Sequence, residues 1–426
     1  MLTRFKGAHI VDPGNMNEQR DLLIKDGLVH GFLDPGAADP EPGIETIDVT
    51  GMILVPGLID VHVHLREPGH EYKETIHSGL MAAAHGGFTA VCPMPNTNPV
   101  NDSAQVTRFV LERAKEARLC RVYPVGAITR GLKGDTLAEY GDMRQAGMVA
   151  ITDDGRPVDN ARVMRRAMEY AAGLGLPVIS HSEELSLAGD GAMNEGAVAT
   201  RLGIRGIPNA AESIMVMREI ALAELTNARV HIAHVSCEES VAAIRQGKKR
   251  GIKVTCETAP HYFTLTDEAV ADYDTHAKMN PPLRSEKDRL AVIQGLIDGT
   301  IDCIATDHAP HSPLEKEVEF DQAAFGIIGL ETSLALSLKL VHDELISMET
   351  LVEKMSRNPA LFLGIDNRLV PGNPADITVI DPDKDHVIDP GIFFSKSRNT
   401  PFAGLKVKGE AFLTMVEGRI IFQRRV

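Results

Sequence analysis

The 426-residue sequence predicts an α/β protein, a parallel (β/α)8 TIM-like barrel with a small β-sandwich domain formed from both chain termini. Three observations predict it. Eight apolar, β-like runs alternate with helical stretches over about 300 residues, and a barrel of this kind needs ~250. Short strands broken by turn signals occupy both ends of the chain, which suggests one β domain built from the two termini. Most of the central apolar runs end in histidine, aspartate or asparagine, and in such a barrel chemistry sits at the C-terminal ends of the strands. A doubly wound open sheet is the competing architecture, but no G-x-G-x-x-G follows a strand.

In chain order, residues 1–55 read as strands at Ala8 to Val11, Asp21 to Ile24, Leu28 to Phe32 and Ile44 to Val49, with turns at Asp12-Pro13-Gly14 and Asp26-Gly27. The barrel, residues 56–364, takes strands from 58–65, 89–94, 121–128, 148–152, 177–181, 230–236, 252–257 and 302–306. Helical stretches between them include Glu74 to His85, Ser103 to Ala117, Asn160 to Ala172, Ala211 to Glu224, Glu238 to Gly247 and Glu286 to Gly295, with Gly86-Gly87 as a C-cap. Residues 365–426 return to β structure at Ala375 to Ile380, Leu405 to Val407, Phe412 to Val416 and Arg419 to Phe422. The Glu- and Lys-rich segment Ser312 to Asp321 reads as an exposed loop after the eighth strand.

Composition narrows the function class. Hydrophobic residues make up 43% and charged residues 24%, as in ordinary globular proteins. A net charge of −15 argues against general affinity for nucleic acid or anionic membrane. It does not exclude a small anionic substrate, because a few local cations outweigh a global charge. Met1 to Arg20 hold no apolar signal region, and no run approaches the ~18 apolar residues of a membrane span, so a cytoplasmic protein is expected. Cys92, Cys120, Cys237, Cys256 and Cys303 form no C-x-x-C pair and read as free thiols. The basic run Arg245 to Arg250 reads as a solvated helix end rather than a nucleic-acid site.

The first barrel strand, Gly57-Leu58-Ile59-Asp60-Val61-His62-Val63-His64-Leu65-Arg66, carries the sharpest signal. Side chains at i and i+2 share a strand face, so His62 and His64 present two imidazoles to one metal ion. Such a pair alone is equally consistent with hydrogen-bonded core histidines. The other strand ends bring Asn96, Asp153-Asp154, His181, His234, His261 and Asp307-His308 with His311. Any one of these has a bland explanation, such as a helix cap at Asp307. Together they supply enough imidazoles and carboxylates on one rim for a set of four histidines and two aspartates. That exceeds one tetrahedral zinc and suits two metals ~3.5–4 Å apart.

The run His62-Val63-His64-Leu65-Arg66-Glu67-Pro68-Gly69 resembles the metal motif of the amidohydrolase superfamily, specifically of class I bacterial dihydroorotases. The likeness continues through Met94-Pro95-Asn96-Thr97, Ser180-His181-Ser182-Glu183, His234-Val235-Ser236, Thr258-Ala259-Pro260-His261-Tyr262 and Ala305 to His311. It implies two Zn2+ per subunit: His62, His64 and Asp307 on the first, His181 and His234 on the second, and Asp154 between them. It implies that Arg66, Asn96 and His311 grip the substrate carboxylate. Asn280 and the Phe325-Gly326 backbone would meet the ring, with His64 also at the substrate. A planar guanidinium suits a carboxylate because it donates two parallel hydrogen bonds.

The implied activity is cyclisation of N-carbamoyl-L-aspartate to dihydroorotate, reversibly, in pyrimidine synthesis, by a bridging hydroxide with Asp307 as general acid and base. The resemblance also implies a homodimer, and some members associate with aspartate transcarbamoylase. Many amidohydrolases bridge their metals with a carboxylated lysine, but residues 148–155 hold none. Strand alternation alone leaves Asp153 and Asp154 open for the bridge; the resemblance favours Asp154. Two other readings compete: a dihydropyrimidinase, hydantoinase or allantoinase, which usually carry the lysine, and a non-catalytic scaffold, which should show broken ligands. His70, His77 and His85 read as surface or helix-face residues. His261 and His308 read as ligand-orienting or structural residues.

Overall fold

The computed structural model describes residues 2–424. Its central strands are all parallel and follow one another in chain order. Leu58–Val63 pairs with Phe88–Pro93, which pairs with Arg121–Val122. Val125–Gly126 pairs onward with Ala150–Ile151, and Val178–Ser180, Val230–Ile232, Val254–Thr258 and Cys303–Ile304 follow. The expected strand 121–128 is thus two pieces that serve different neighbours. Pro124 sits at the break and has no N–H to give to a ladder. Past the last strand, Val63 forms a parallel bridge with His308, and the His64 N–H donates to the His308 carbonyl at 2.9 Å. The pairings therefore return to the strand they began from, where an open sheet would leave two edges.

Helices pack outside this circuit, and local chemistry sets their ends. Ile76–His85 starts at a capping box between Thr75 and Ser78 and stops where Gly87 adopts φ +92°. Ala161–Gly173 starts where the Asn160 side chain accepts the Arg162 and Val163 N–H groups. Asn209–Thr226, Glu238–Lys249 and Glu286–Ile297 each run two to four residues beyond the expected ends. All five cysteines are buried and free. No helix of the described residues is long and apolar enough to cross a membrane.

The two ends of the chain meet. One four-stranded sheet comes from residues 2–48. A six-stranded sheet interleaves both ends, with Ile53–Pro56 antiparallel to Ile377–Val387, Pro56 opposite Ile377. Phe5, Ile10, Leu22, Leu54, Ile377 and Leu413, from both sheets, form a core separate from that of the parallel strands. The sequence reading missed the strands Leu2–Lys6, Met16–Gln19 and Ile53–Pro56, and Lys406–Val416 is one strand where two were expected. Segment 312–321 is largely exposed as expected, with Leu314 at 88%, but part of it is neither loop nor exposed. Pro313–Lys316 forms a helical turn with a capping box from Ser312 to Glu315, and Lys316 is only 1% exposed. His85 is also buried, with Nδ1 2.7 Å from Glu331 Oε1 and Nε2 3.0 Å from Arg424 Nη2.

Candidate active site

The circuit's C-terminal rim brings the strand-end residues together. His62 and His64 project from the first strand with ring centroids 5.4 Å apart. His62 Nε2 lies 3.5 Å from Asp307 Oδ1 and 3.5 Å from Asp154 Oδ1; His64 Nε2 lies 3.1 Å from Asp307 Oδ1. On the other side of Asp154 Oδ1, His181 Nδ1 stands at 3.5 Å and His234 Nε2 at 3.6 Å, themselves 2.8 Å apart. Asp154 faces all four imidazoles, since its Oδ2 is 3.6 Å from His64 Nε2. Arg66, His234 and Asp307 all have positive φ, at 63°, 38° and 47°. For bulky residues this conformation is costly and clusters at functional sites.

Asp153 and Asp154 are separated by their neighbours. Asp153 Oδ1 accepts the Thr129 N–H at 3.0 Å, and its Oδ2 accepts the Thr129 hydroxyl. It is committed to the loop after Val125–Gly126 and leaves the rim to Asp154.

The donor set fits metal. His62 Nε2 and Asp154 Oδ1 are buried without a hydrogen-bond partner. Buried polar atoms are normally satisfied, and a cation held between this imidazole nitrogen and the carboxylates it faces would satisfy both. Ligands at 2.0–2.1 Å from a tetrahedral ion stand about 3.4 Å apart, close to most of the separations here. Two overlapping donor groups, His62–His64–Asp307 and His62–Asp154–His234, lie within bonding reach of one ion each. Burial opposes charge on His62, but Asp307, Asp154 and Glu257 outweigh it and raise its pKa well above the ordinary value. Burial likewise opposes, and Asp154 and Glu183 outweigh, so that His181 is pushed up to about 10. The same contacts hold Asp154 well below the usual carboxylate range despite its burial.

Beside this cluster lies a cavity of about 210 Å³. His64, Asp154, His181, His234 and Asp307 line it with Arg66, Asn96, Asn280, His311, Phe325 and Gly326. Every expected substrate contact is on its wall; His62 is fully buried beneath. Asn96 links its two sides, with Oδ1 2.9 Å from His64 Nδ1 and Nδ2 donating to Asp154 Oδ2 at 3.4 Å. Arg66 Nε donates to the Pro310 carbonyl at 3.1 Å and Nη2 to His311 Nε2 at 3.3 Å. Arginine only donates, so His311 Nε2 accepts; Lys73 Nζ, also a donor, lies 3.5 Å from the other ring nitrogen, Nδ1. Burial and the charges of Arg66 and Lys73 pull His311 down to about 2, which keeps it neutral.

The sequence reading missed a supporting layer. Glu257 Oε1 stands 2.6 Å from His62 Nδ1, and its Oε2 3.1 Å from His231 Nε2. Glu183 Oε2 stands 3.5 Å from His181 Nε2 and accepts from Asn280 Nδ2 at 3.3 Å. Asp60 accepts the N–H groups of His62 and Thr306. One signal was present: Glu257 is a lone carboxylate in an apolar strand, which a buried chain tolerates only with partners. Of the two rim histidines left open, His308 is structural: Nδ1 accepts the Gly329 N–H at 3.2 Å and Nε2 lies 3.4 Å from Glu74. His261 Nε2 is buried with no hydrogen-bond partner, and burial pulls its pKa down to about 4.

Comparison with known proteins identifies the chain's relatives. A family model described as Dihydro-orotase-like matches residues 51–240. The dihydroorotase of Desulforapulum autotrophicum is 85% identical over 426 residues, covering 100% of both chains. That of Geotalea daltonii is 55% identical over 422 residues, covering 99% of each. Among solved structures, the L-hydantoinase (dihydropyrimidinase) from Arthrobacter aurescens superposes with a TM-score of 0.89 at 26% identity, covering 100% of this chain and 97% of its own. A D-hydantoinase at 22% identity, with a TM-score of 0.85 and 99% and 95% coverage, shares the fold. Full-length identity at this level, with the hydantoinase-like architecture around the rim, means that the chain belongs to the dihydroorotase family of cyclic-amide hydrolases.

Proposed function

We propose that this chain interconverts N-carbamoyl-L-aspartate and (S)-dihydroorotate, running toward the ring in pyrimidine biosynthesis. The observation that carries this reading is Arg66 beside neutral His311, in one cavity with the histidine–aspartate cluster. Dihydroorotate bears a carboxylate next to its cyclic amide; a dihydropyrimidine or hydantoin ring without one leaves the buried guanidinium without an anionic partner. We read the closed circuit of parallel strands as a (β/α)8 barrel over residues 56–364. Residues 1–55 and 365–426 are then a β-sandwich domain with its own core.

Two zinc ions suit the donors: His62, His64 and Asp307 for one, His181 and His234 for the other, with Asp154 shared, as in class I dihydroorotases with aspartate at the bridge. Zinc here would polarise the ring carbonyl and make water a nucleophile at neutral pH. The residues do the rest. Arg66 takes the substrate carboxylate and Asn96 and His311 flank it, which aims the amide at the rim. Asn280 and Phe325-Gly326 bound the ring's far side. Asp307 is held below the ordinary carboxylate range, since His62 and His64 outweigh its burial. It is therefore ionised at neutral pH and takes the proton of the attacking water, then returns it to the departing amide nitrogen.

The test is turnover by the purified chain of dihydroorotate against dihydrouracil and allantoin, with a metal count on the same sample. Dihydroorotate should be the preferred substrate, with two zinc ions per chain. Faster turnover of either carboxylate-free ring overturns the reading.

A further inference from the structure

We propose that Asn399, outside the cavity, is a positioning residue for the substrate: it locks together the two cavity walls that carry His311 and Phe325-Gly326. This rests on the dihydroorotase reading above and extends it to a residue on the segment that leads into the C-terminal strands.

The Asn399 side chain is 2% exposed and fully committed. Its Nδ2 donates to the Ala309 carbonyl at 2.9 Å and to the Gly326 carbonyl at 3.0 Å. Its Oδ1 accepts the His311 N–H at 3.1 Å, and its own carbonyl accepts the Ile328 N–H at 3.0 Å. One amide thus ties the loop after the last parallel strand to the segment 325–328. Ala309, His311, Phe325 and Gly326 all line the cavity; Asn399 does not, so it acts through them.

The two walls are in contact at the point where Asn399 ties them. A Cβ on Gly326 would fall 2.8 Å from Ala309 Cβ and 2.9 Å from His311 Cδ2. Gly326 is also held from behind. Its N–H donates to the Lys278 carbonyl at 2.9 Å, and its carbonyl accepts from Lys316 Nζ at 3.1 Å. Lys316 Nζ donates further to the carbonyls of Ala324 at 2.8 Å and Lys278 at 3.3 Å. Both polar groups of Gly326 are therefore engaged within the protein, and its placement is set by Asn399 and Lys316. If the tie is cut, the ring contact and the carboxylate pocket lose their mutual spacing, while none of the proposed metal ligands loses a partner.

Asn399→Asp keeps the side chain's size but turns a carboxylate oxygen toward two carbonyls; Asn399→Ala removes the tie. Steady-state dihydroorotate hydrolysis, zinc content and thermal unfolding would be measured for both. KM should rise about tenfold or more, because each variant leaves buried groups unpaired on the substrate-facing walls. With zinc content equal to wild type, kcat should stay within about threefold, the mark of lost binding rather than lost chemistry. Lys316→Met, which cuts the tie from the other side, should give the same split even if neither Asn399 variant folds. A fall in kcat at unchanged KM, or unchanged KM in every folded variant, overturns the assignment. A wild-type chain that leaves dihydroorotate untouched overturns the functional reading, and this assignment with it.

Discussion

Replacing Glu257 with glutamine should loosen the first metal position without touching a proposed ligand. Glu257 is 1% exposed, and its Oε1 stands 2.6 Å from His62 Nδ1. His62 and His231 outweigh its burial and drive its pKa far below the usual range, so it is an anion and His62 Nδ1 carries the proton. That holds Nδ1 as the donor to Glu257 and leaves Nε2, which faces Asp307 and Asp154, as the nitrogen a metal would take in place of a proton. A hydrogen bond to a charged partner contributes roughly 1.5–3 kcal/mol, a neutral one roughly 0.5–1.5. The difference, about 1–1.5 kcal/mol, is about tenfold in metal affinity, at the lower end of the 10–100-fold typical of residues behind metal ligands.

The variant should still fold. A glutamine carbonyl still accepts from His62, and its amide can donate to His231 Nε2 once that ring moves its proton to Nδ1, where Thr255 Oγ1 lies 2.8 Å away. Asp60 cannot substitute. Burial pushes it up to about 7, and its Oδ1 is occupied by the N–H groups of His62 and Thr306. Competition with a chromophoric zinc chelator reads the affinity, and thermal unfolding checks the fold. Affinity within about twofold of wild type, in a folded variant, would show that the Glu257 charge does not reach the metal and refute the reasoning.

Three further outcomes are expected. Asp307→Asn should lower kcat by about 10²–10⁴ even with zinc supplied to saturation, read by single-substrate kinetics with a metal count, because the amide cannot accept the proton. Gly326→Ala should raise KM strongly, since the new methyl would meet Ala309 and His311 under 3.0 Å at a backbone φ of +147°. Lys316→Met should change the pH dependence of stability. Burial pulls Lys316 down to about 7 from 10.5, so between those values the unfolded chain binds more protons and the wild type gains stability as pH rises. Any stability advantage of the methionine variant should therefore shrink from pH 7 to pH 10, measured by denaturant unfolding at each pH; an advantage independent of pH would show that Lys316 titrates normally.

Much of this was legible in the sequence because it is local. Hydrophobic period marks each strand and helix, and caps such as Asn160 and Thr75 are set within four residues. Strand alternation puts His62 and His64 together, and chain order alone puts the other candidate ligands at strand ends. The failures were also physical. Pro124 divides a continuous apolar run between two neighbours, and Lys316 looked exposed because lysine seldom finds three carbonyls to satisfy it in a core.

The sequence carries the residue types of the proposed ligands and grip at the ends of apolar runs: His62, His64, His181, His234, an aspartate pair at 153–154, Asp307 and Arg66. Which of Asp153 and Asp154 faces the imidazoles depends on the packed chain, because Thr129, in the loop after Val125–Gly126, takes the first and leaves the second on the rim. Only the tertiary structure brought Glu257 to His62 across 195 residues and Asn399 to Gly326 across 73. A side chain's type and its strand face are properties of a few adjacent residues. Which buried polar group satisfies which other depends on how distant segments close on one another, and no local pattern carries that.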